Sequence, residues 1–205
     1  MSLIYLDYNR TTPLAPSVQE AMQPFWSTHF MLPGQEHPYA QAVGEALESA
    51  REGVAFLTGC GPFEIVFTGG GTESNNLAIL GALSGNRAGH ILVGATEHQS
   101  ILGTTEQLAL RGWEVEQIPC DSAGRISADQ VASMLRDETQ LACVQLANPV
   151  LGTIQPIRRI AEECHKRGVL LHCDATQAFG KIAVDASQLQ ADMISISGHK
   201  FYGPK

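Results

Sequence analysis

The chain has 205 residues, of which 44% are hydrophobic and 17% charged, a composition that excludes a disordered or fibrous protein and allows one large domain with a buried core. Thirteen Lys and Arg residues against 21 Asp and Glu residues give a net charge of −8, which argues against nucleic acid or an anionic membrane surface as a partner. The sequence shows neither a membrane-spanning apolar run nor a signal peptide, so we expect a cytoplasmic protein.

Residues 1–60 predict an N-terminal helical arm, because helical patterns occupy 17–30 and 39–58. From residue 61 to 205, short apolar runs alternate with amphipathic stretches, which is typical of an α/β domain whose mostly parallel sheet is flanked by helices. The predicted strands are 64–67, 90–94, 113–118, 140–147, 169–175 and 192–197, and the predicted helices are 72–83, 101–112, 128–137 and 157–168.

Four of these strands are apolar at consecutive positions, as expected for strands buried on both faces of a sheet. In an open α/β sheet, ligands bind beyond the carboxyl ends of the strands, where loops lead into helices. We therefore look for functional residues at those ends.

A glycine-rich turn, TGGGTESNN at 68–76, follows the predicted strand 64–67 and opens the next helix. Its glycines allow a ligand to approach the backbone closely, and the helix N-terminus favours a phosphate. The turn lacks the GK[ST] ending of a P-loop and does not match GxGxxG, which disfavours a nucleotide. A tight strand-to-helix turn without a ligand is the alternative.

Other polar residues also follow strand ends. His98 comes after strand 90–94. Asp174 ends the run VLLHCD at 169–174, with Gln177 three residues later. Ser197 ends strand 192–197, and His199 and Lys200 follow it. Taken singly, each is explained as a helix cap or a solvated side chain. A buried carboxylate, however, requires a cationic or hydrogen-bonding partner, and a desolvated lysine forms imines readily.

One small molecule uses all these groups at once. Pyridoxal 5'-phosphate has a phosphate for the glycine turn, an aldehyde for Lys200, a ring face for His98, and a pyridine nitrogen whose protonated form Asp174 stabilises. The sequence therefore predicts this cofactor.

Five blocks of the sequence resemble the cysteine desulfurase family, which also includes selenocysteine lyases and belongs to the class V, fold-type I pyridoxal phosphate enzymes. The blocks are YLDYNRTTPLAP, FTGGGTESNNLAI, TEHQSIL, HCDATQAFGK and SGHKFYGPK. They run in the family's order along essentially the whole chain. The resemblance implies the large domain of a fold-type I enzyme that turns cysteine into alanine and an enzyme-bound persulfide for iron–sulfur cluster assembly.

The resemblance also implies roles for single residues. Lys200 forms the internal imine and moves protons, and His98 stacks on the ring and takes part in proton transfer. Asp174 and Gln177 bind the pyridine nitrogen and the ring hydroxyl. The phosphate ligands implied by the resemblance are Gly71, Thr72, Ser197 and His199. Family enzymes are homodimers that act on an amino-acid substrate and pass sulfur to an acceptor protein.

The sequence departs from the family pattern in four places. Arg10 replaces a small residue before the TT pair, the loop 31–37 loses an Asn and two Ser, and NPVLG at 148–152 replaces NNExG. The chain also stops five residues after Lys200, so we expect the N-terminal part of a longer enzyme, without the small domain and the catalytic cysteine loop, and inactive alone. Selenocysteine lyase, another class V enzyme and a catalytically silent binding piece remain the alternatives.

The cysteines predict no disulfide framework and no metal site. Their number is odd and no CxxC pair occurs, so we expect buried free thiols. They are Cys60, Cys120, Cys143, Cys164 and Cys173.

Overall fold

A computed structural model describes residues 4–205. These residues divide into two compact units, one made of the described residues up to Phe67 together with Gly198–Lys205, and the other of Thr68–Ser197. The predicted division into an arm of residues 1–60 and a domain of residues 61–205 stays a prediction.

The first unit is helical. It contains α1 (Pro16–Met22), α2 (Pro24–Ser27) and α3 (Pro38–Thr58). The helix predicted over 17–30 is wrong as a single element, because Pro24 lacks the N–H that would continue the first helix and instead begins α2. The long helix predicted over 39–58 is confirmed, and it ends at Gly59, whose φ of 68° is left-handed.

The second unit contains a parallel sheet of five strands in the order β2-β1-β3-β4-β5, which confirms the predicted fold class. The strands are β1 (His90–Gly94), β2 (Glu114–Ile118), β3 (Thr139–Cys143), β4 (Leu170–Asp174) and β5 (Met193–Ser195). The helices of this unit are α4 (Gly71–Ala82), α5 (Gln99–Ala109), α6 (Ala128–Met134), α7 (Ile157–His165) and α8 (Ala186–Leu189).

The centre of the sheet is fully buried, as the consecutive apolar positions predicted. Every residue of β1 is buried, and Leu141 and Cys143 of β3 are 0% exposed. Ile79 of α4 and Ile101 of α5 complete the same apolar cluster. Since apolar side chains fill most of these positions, most polar groups of the central strands lie at the strand ends, with His172 of β4 as an exception.

The strand predicted over 64–67 is wrong. Residues 62–64 form a short 3₁₀ helix and 65–67 have no regular structure, with Val66 68% exposed. A run of apolar residues indicates a strand only where a neighbouring strand pairs with it, and none does so within residues 4–205.

The five cysteines are free, as predicted, but only three are buried. Burial raises the pKa of the Cys143 and Cys173 thiols well above the ordinary value, and that of Cys164 to about 12. Cys60 and Cys120 are partly exposed, so the expectation of burial is wrong for them. Among the helices described over 4–205, none has the length and apolar character needed to cross a membrane.

Candidate active site

Asp174 lies at the carboxyl end of β4 with only 4% of its surface exposed. Both carboxylate oxygens accept hydrogen bonds. Oδ1 accepts the backbone N–H of Thr176 at 2.9 Å, and Oδ2 accepts from Nδ2 of Asn75 at 2.9 Å. A carboxylate has about four lone-pair sites, so Asp174 retains the capacity to accept from a ligand.

A chain of hydrogen bonds leads from Asp174 to His98. Asn75 also donates through Nδ2 to Oγ of Ser100 at 2.9 Å, and this Oγ lies 2.8 Å from Nδ1 of His98. The backbone N–H of Ser100 donates to the same Nδ1 at 3.1 Å. Nδ1 is therefore an acceptor, and the proton of a neutral His98 ring resides on Nε2.

His98 begins α5 as its N-cap residue. The backbone places it four residues beyond the end of β1, at the sheet edge where ligands bind. The hydrogen bonds at Nδ1 fix the ring and leave Nε2–H for another partner.

The glycine turn opens α4 as predicted. Gly70 has a φ of 150°, which L side chains rarely adopt, and the helix begins at Gly71. A Cβ added to Gly71 would lie 3.1 Å from Cγ2 of Thr176 and 3.4 Å from Cβ of Ser197. The helix start, Thr176 and the buried Ser197 therefore approach one another closely.

Two backbone groups of the same turn already have hydrogen-bond partners within the chain. The N–H of Gly69 donates to the Glu73 carboxylate at 2.6 Å, and the carbonyl of the exposed Thr72 accepts from Nδ2 of Asn76 at 2.8 Å. The first N–H groups of α4 have no acceptor within the helix, so they are the donors that this turn offers to an anion.

Glu97, the residue before His98, is a buried carboxylic acid. Its Oε1 accepts the backbone N–H of Gln145 at 2.7 Å, while its Oε2 has no partner. Burial raises the pKa of Glu97 well above the ordinary value, which favours the neutral form of the carboxyl group. Gln145 in turn donates through Nε2 to Oγ1 of Thr96 at 2.8 Å, which ties the segment before His98 to the end of β3.

His172 lies inside the sheet, two residues before Asp174 on β4. It is 0% exposed, and its Nε2 lies 3.1 Å from Oγ of Ser195, which contacts Oγ of Ser74 at 2.8 Å. Burial lowers the pKa of His172 to about 4, so the ring stays neutral at neutral pH. These hydroxyls link β4 and β5 to the first turn of α4.

Lys200 and His199 belong to the first compact unit. Nζ of Lys200 donates to the backbone carbonyls of Asn9 at 2.9 Å and Arg10 at 2.8 Å. Nδ1 of His199 lies 3.1 Å from Oγ1 of Thr11, and burial, followed by the charges of Lys200 and Lys205, lowers the pKa of His199.

Arg10 lies in the segment whose backbone carbonyls contact Lys200, and its side chain pairs with a residue of the same segment. Its Nε pairs with Oδ2 of Asp7 at 3.2 Å, and its side chain is 84% exposed. The backbone carbonyl, not the guanidinium, is therefore the part of Arg10 that contacts the lysine amine.

Residues 4–205 match the family model described as aminotransferase class-V. The chain belongs to this family. Among curated relatives, the mitosomal cysteine desulfurase of Encephalitozoon cuniculi and the cysteine desulfurase IscS of Klebsiella pneumoniae are each 42% identical to it. The matches cover 98% of this chain but only 48% and 51% of those proteins, so the chain spans about half the length of the curated relatives it matches.

A solved structure described as SspA in complex with cysteine has a TM-score of 0.95 and 39% identity, covering 98% of this chain and 58% of that one. A NifS-like protein gives the same TM-score at 33% identity, with 98% and 56% covered. The resemblance to cysteine desulfurases and the fold-type I architecture that the sequence predicted for this class V chain are both confirmed.

Six of the eight predicted site residues lie in the unit 68–197. Within it, hydrogen bonds connect Asp174 to His98, and Gly71 lies close to Ser197. Gln177 is partly exposed and accepts a hydrogen bond from Nζ of Lys181 at 2.9 Å. The assigned roles of all eight stay predictions.

Asn75, Ser100 and Glu97 are the polar residues of this site that sequence reasoning missed. Asn75 and Ser100 lie within the glycine and TEHQS motifs, and both face inward from helices that also carry buried apolar residues. A polar residue on the buried side of an amphipathic helix was the signal that could have identified them, because such a group requires a buried partner.

Proposed function

We propose that this chain supplies the cofactor-binding part of a pyridoxal phosphate-dependent cysteine desulfurase, which converts cysteine to alanine and keeps the sulfur as a persulfide. The observation that carries the proposal is the buried hydrogen-bonded chain from Asp174 through Asn75 and Ser100 to His98. It presents a carboxylate and an imidazole at one edge of the sheet in a chain of the class V family.

The residues present fit the cofactor. Asp174 offers a buried acceptor for the pyridine nitrogen, and Nε2–H of His98 is available to a ligand. A phosphate suits the first N–H groups of α4, where the backbone of Gly71 lies close to Thr176 and to the hydroxyl of Ser197. Pyridoxal phosphate supplies an electron sink when bound.

In this proposal, Asp174 and Gln177 hold the pyridine nitrogen and the ring hydroxyl, and His98 lies against the ring face. The phosphate ligands are Gly71, Thr72, Ser197 and His199. Lys200 provides the amine that attaches the cofactor. Two backbone carbonyls accept hydrogen bonds from this amine, and it becomes a nucleophile once it loses a proton.

The thiolate that receives sulfur requires a cysteine that ionises readily. Burial raises the pKa of the thiols of Cys143, Cys164 and Cys173, so these cysteines are poorly suited to that role. We propose that the reaction uses a cysteine outside them. The same proposal includes cysteine as the substrate, a homodimer, a sulfur-acceptor protein, a role in iron–sulfur cluster assembly and a cytoplasmic location.

The experiment that tests the proposal is reductive trapping. The protein is mixed with pyridoxal phosphate and reduced with borohydride, and its peptides are then mapped by mass spectrometry. We expect the pyridoxyl group on Lys200 and its loss in Lys200→Ala. Lys166→Ala is the matched control, because Lys166 directly follows α7 and its side chain is 66% exposed. Equal labelling of surface lysines, unaffected by Lys200→Ala, would show that the proposal is wrong.

A further inference from the structure

Three ionisable residues meet at the amino ends of β1 and β2, at the opposite end of the strands from the candidate active site. His90 begins β1 and pairs in register with Glu114, which begins β2, and Glu116 follows two residues later on the same face of the sheet. One ligand atom from each residue lies within 4.8 Å of the other two.

His90 is the observation that distinguishes this cluster from an ordinary group of surface acids. The residue is only 1% exposed. Its Nε2 lies 3.2 Å from Oε2 of Glu116, yet it makes no hydrogen bond. A buried polar atom without a partner is costly, and a carboxylate oxygen of each glutamate lies within 4.8 Å of this ring.

The other ring nitrogen is held as in a metal-binding histidine. Nδ1 of His90 lies 2.8 Å from Oγ1 of Thr139, a buried residue of β3. Histidines that bind metals usually engage their second nitrogen in this way, which fixes the orientation of the ring.

We propose that Nε2 of His90 and the carboxylates of Glu114 and Glu116 bind one divalent transition-metal ion of the Zn²⁺ type. Imidazole and carboxylate ligands suit Zn²⁺, which binds them at about 2.0–2.2 Å, so tetrahedral ligand atoms lie about 3.4 Å apart. The glutamate side chains are 63% and 37% exposed, which leaves them free to close the remaining gap.

In this structure, the guanidinium of Arg136 occupies the position proposed for the metal ion. Its Nη1 lies 2.6 Å from Oε1 of Glu114, and its Nη2 contacts Oε2 of Glu116. The metal ion therefore displaces the guanidinium, whose side chain is 42% exposed and can move into solvent. This competition predicts opposite effects for removing an acid and removing the arginine.

The test is calorimetric titration of the protein with Zn²⁺ in a buffer that does not chelate metal. We expect one ion per chain, affinity weakened about 10-fold or more by Glu116→Gln, and affinity strengthened by Arg136→Ala. Glu162→Gln is the control, since Glu162 is an exposed acid paired with Arg158 on α7, and it leaves Zn²⁺ affinity unchanged.

Titration with Co²⁺ separates this site from the partly exposed cysteines. Thiolate ligands give strong charge-transfer absorption, whereas imidazole and carboxylate ligands do not. Absence of binding, equal affinity in the parent protein and Glu116→Gln, or thiolate absorption would overturn the proposal. Because His90 is buried and its replacement endangers folding, the partly exposed Glu116 and the exposed Arg136 carry the test.

Discussion

Each end of strand β1 carries a histidine in a different environment. At the carboxyl end, hydrogen bonds link His98 to Asp174 through the neutral side chains of Ser100 and Asn75. At the amino end, His90 faces the carboxylate of Glu116 directly and without a hydrogen bond, while Arg136 neutralises the acids from the solvent side.

The two ends of β1 differ in how much their polar groups contribute to the stability of the fold. Buried neutral donors and acceptors cannot turn to water when a partner is lost, so each one removed leaves another unsatisfied. Exposed ion pairs are replaced by water at little cost. Substitutions at the carboxyl end should therefore lower the stability of the fold. Substitutions at the amino end should instead change the affinity for metal ions.

The largest effect is expected for Asp174→Ala. It leaves the N–H of Thr176 without an acceptor and removes one of the two acceptors of Nδ2 of Asn75, which costs about 2–4 kcal/mol of unfolding free energy. Urea titration followed by circular dichroism measures the loss. Asp137→Ala is the control, since that side chain is 96% exposed and its loss should change stability by about 0.5 kcal/mol or less. Equal losses in both variants would contradict the dependence on buried partners.

Asn75→Ala should cost less, about 1–2 kcal/mol, because the carboxylate and the Ser100 hydroxyl keep other contacts. A double-mutant cycle with Ser100→Ala sharpens the test. The two losses should be non-additive by about 0.5 kcal/mol or more, as expected for residues of one hydrogen-bonded chain. Strict additivity would show that the four residues do not act together.

Glu97→Gln tests a third buried group through the pH dependence of the free energy of unfolding. Burial raises the pKa of Glu97 in the folded protein, so the folded state binds more protons than the unfolded state above the ordinary value of 4.5. Its contribution to stability is complete below that value and declines as pH rises, by at most about 1.4 kcal/mol per pH unit. Unfolding of Glu97→Gln measured from pH 5 to 8 should lack this decline, and parallel curves would rule out the protonated acid.

The smallest effect is expected at the amino end. Glu114→Gln removes one exposed partner of Arg136, and we expect no measurable change in unfolding by urea in the absence of added metal. A loss as large as that of Asn75→Ala would remove the contrast between the two ends of β1.

Much of the sheet was predictable from sequence because its strands are buried on both faces. The apolar run 90–94 marks β1 with both of its bounds, and Asp174 ends β4 where the pattern placed it. The run 64–67 has the same local character but forms no strand, since pairing depends on residues distant in the chain.

The site was predictable only in part. His98 and Asp174 stand out because each follows an apolar strand. Their connection through Asn75 and Ser100 depends on the packing of α4 and α5 at the strand ends, which one sequence does not specify. The cluster of His90, Glu114 and Glu116 was missed, and no metal site was expected, because its members come together only through the register of β1 and β2.

The order of the strands also bears on how the sheet is assembled during synthesis. β2 pairs with β1, β3 joins the free side of β1, and β4 and β5 are added one after the other beyond β3. Among the five described strands, each new one thus meets a neighbour that the ribosome has already released, and none has to be inserted between two earlier ones. Growth only at the edges suits a parallel sheet, whose long crossovers would otherwise slow the search for the correct pairing.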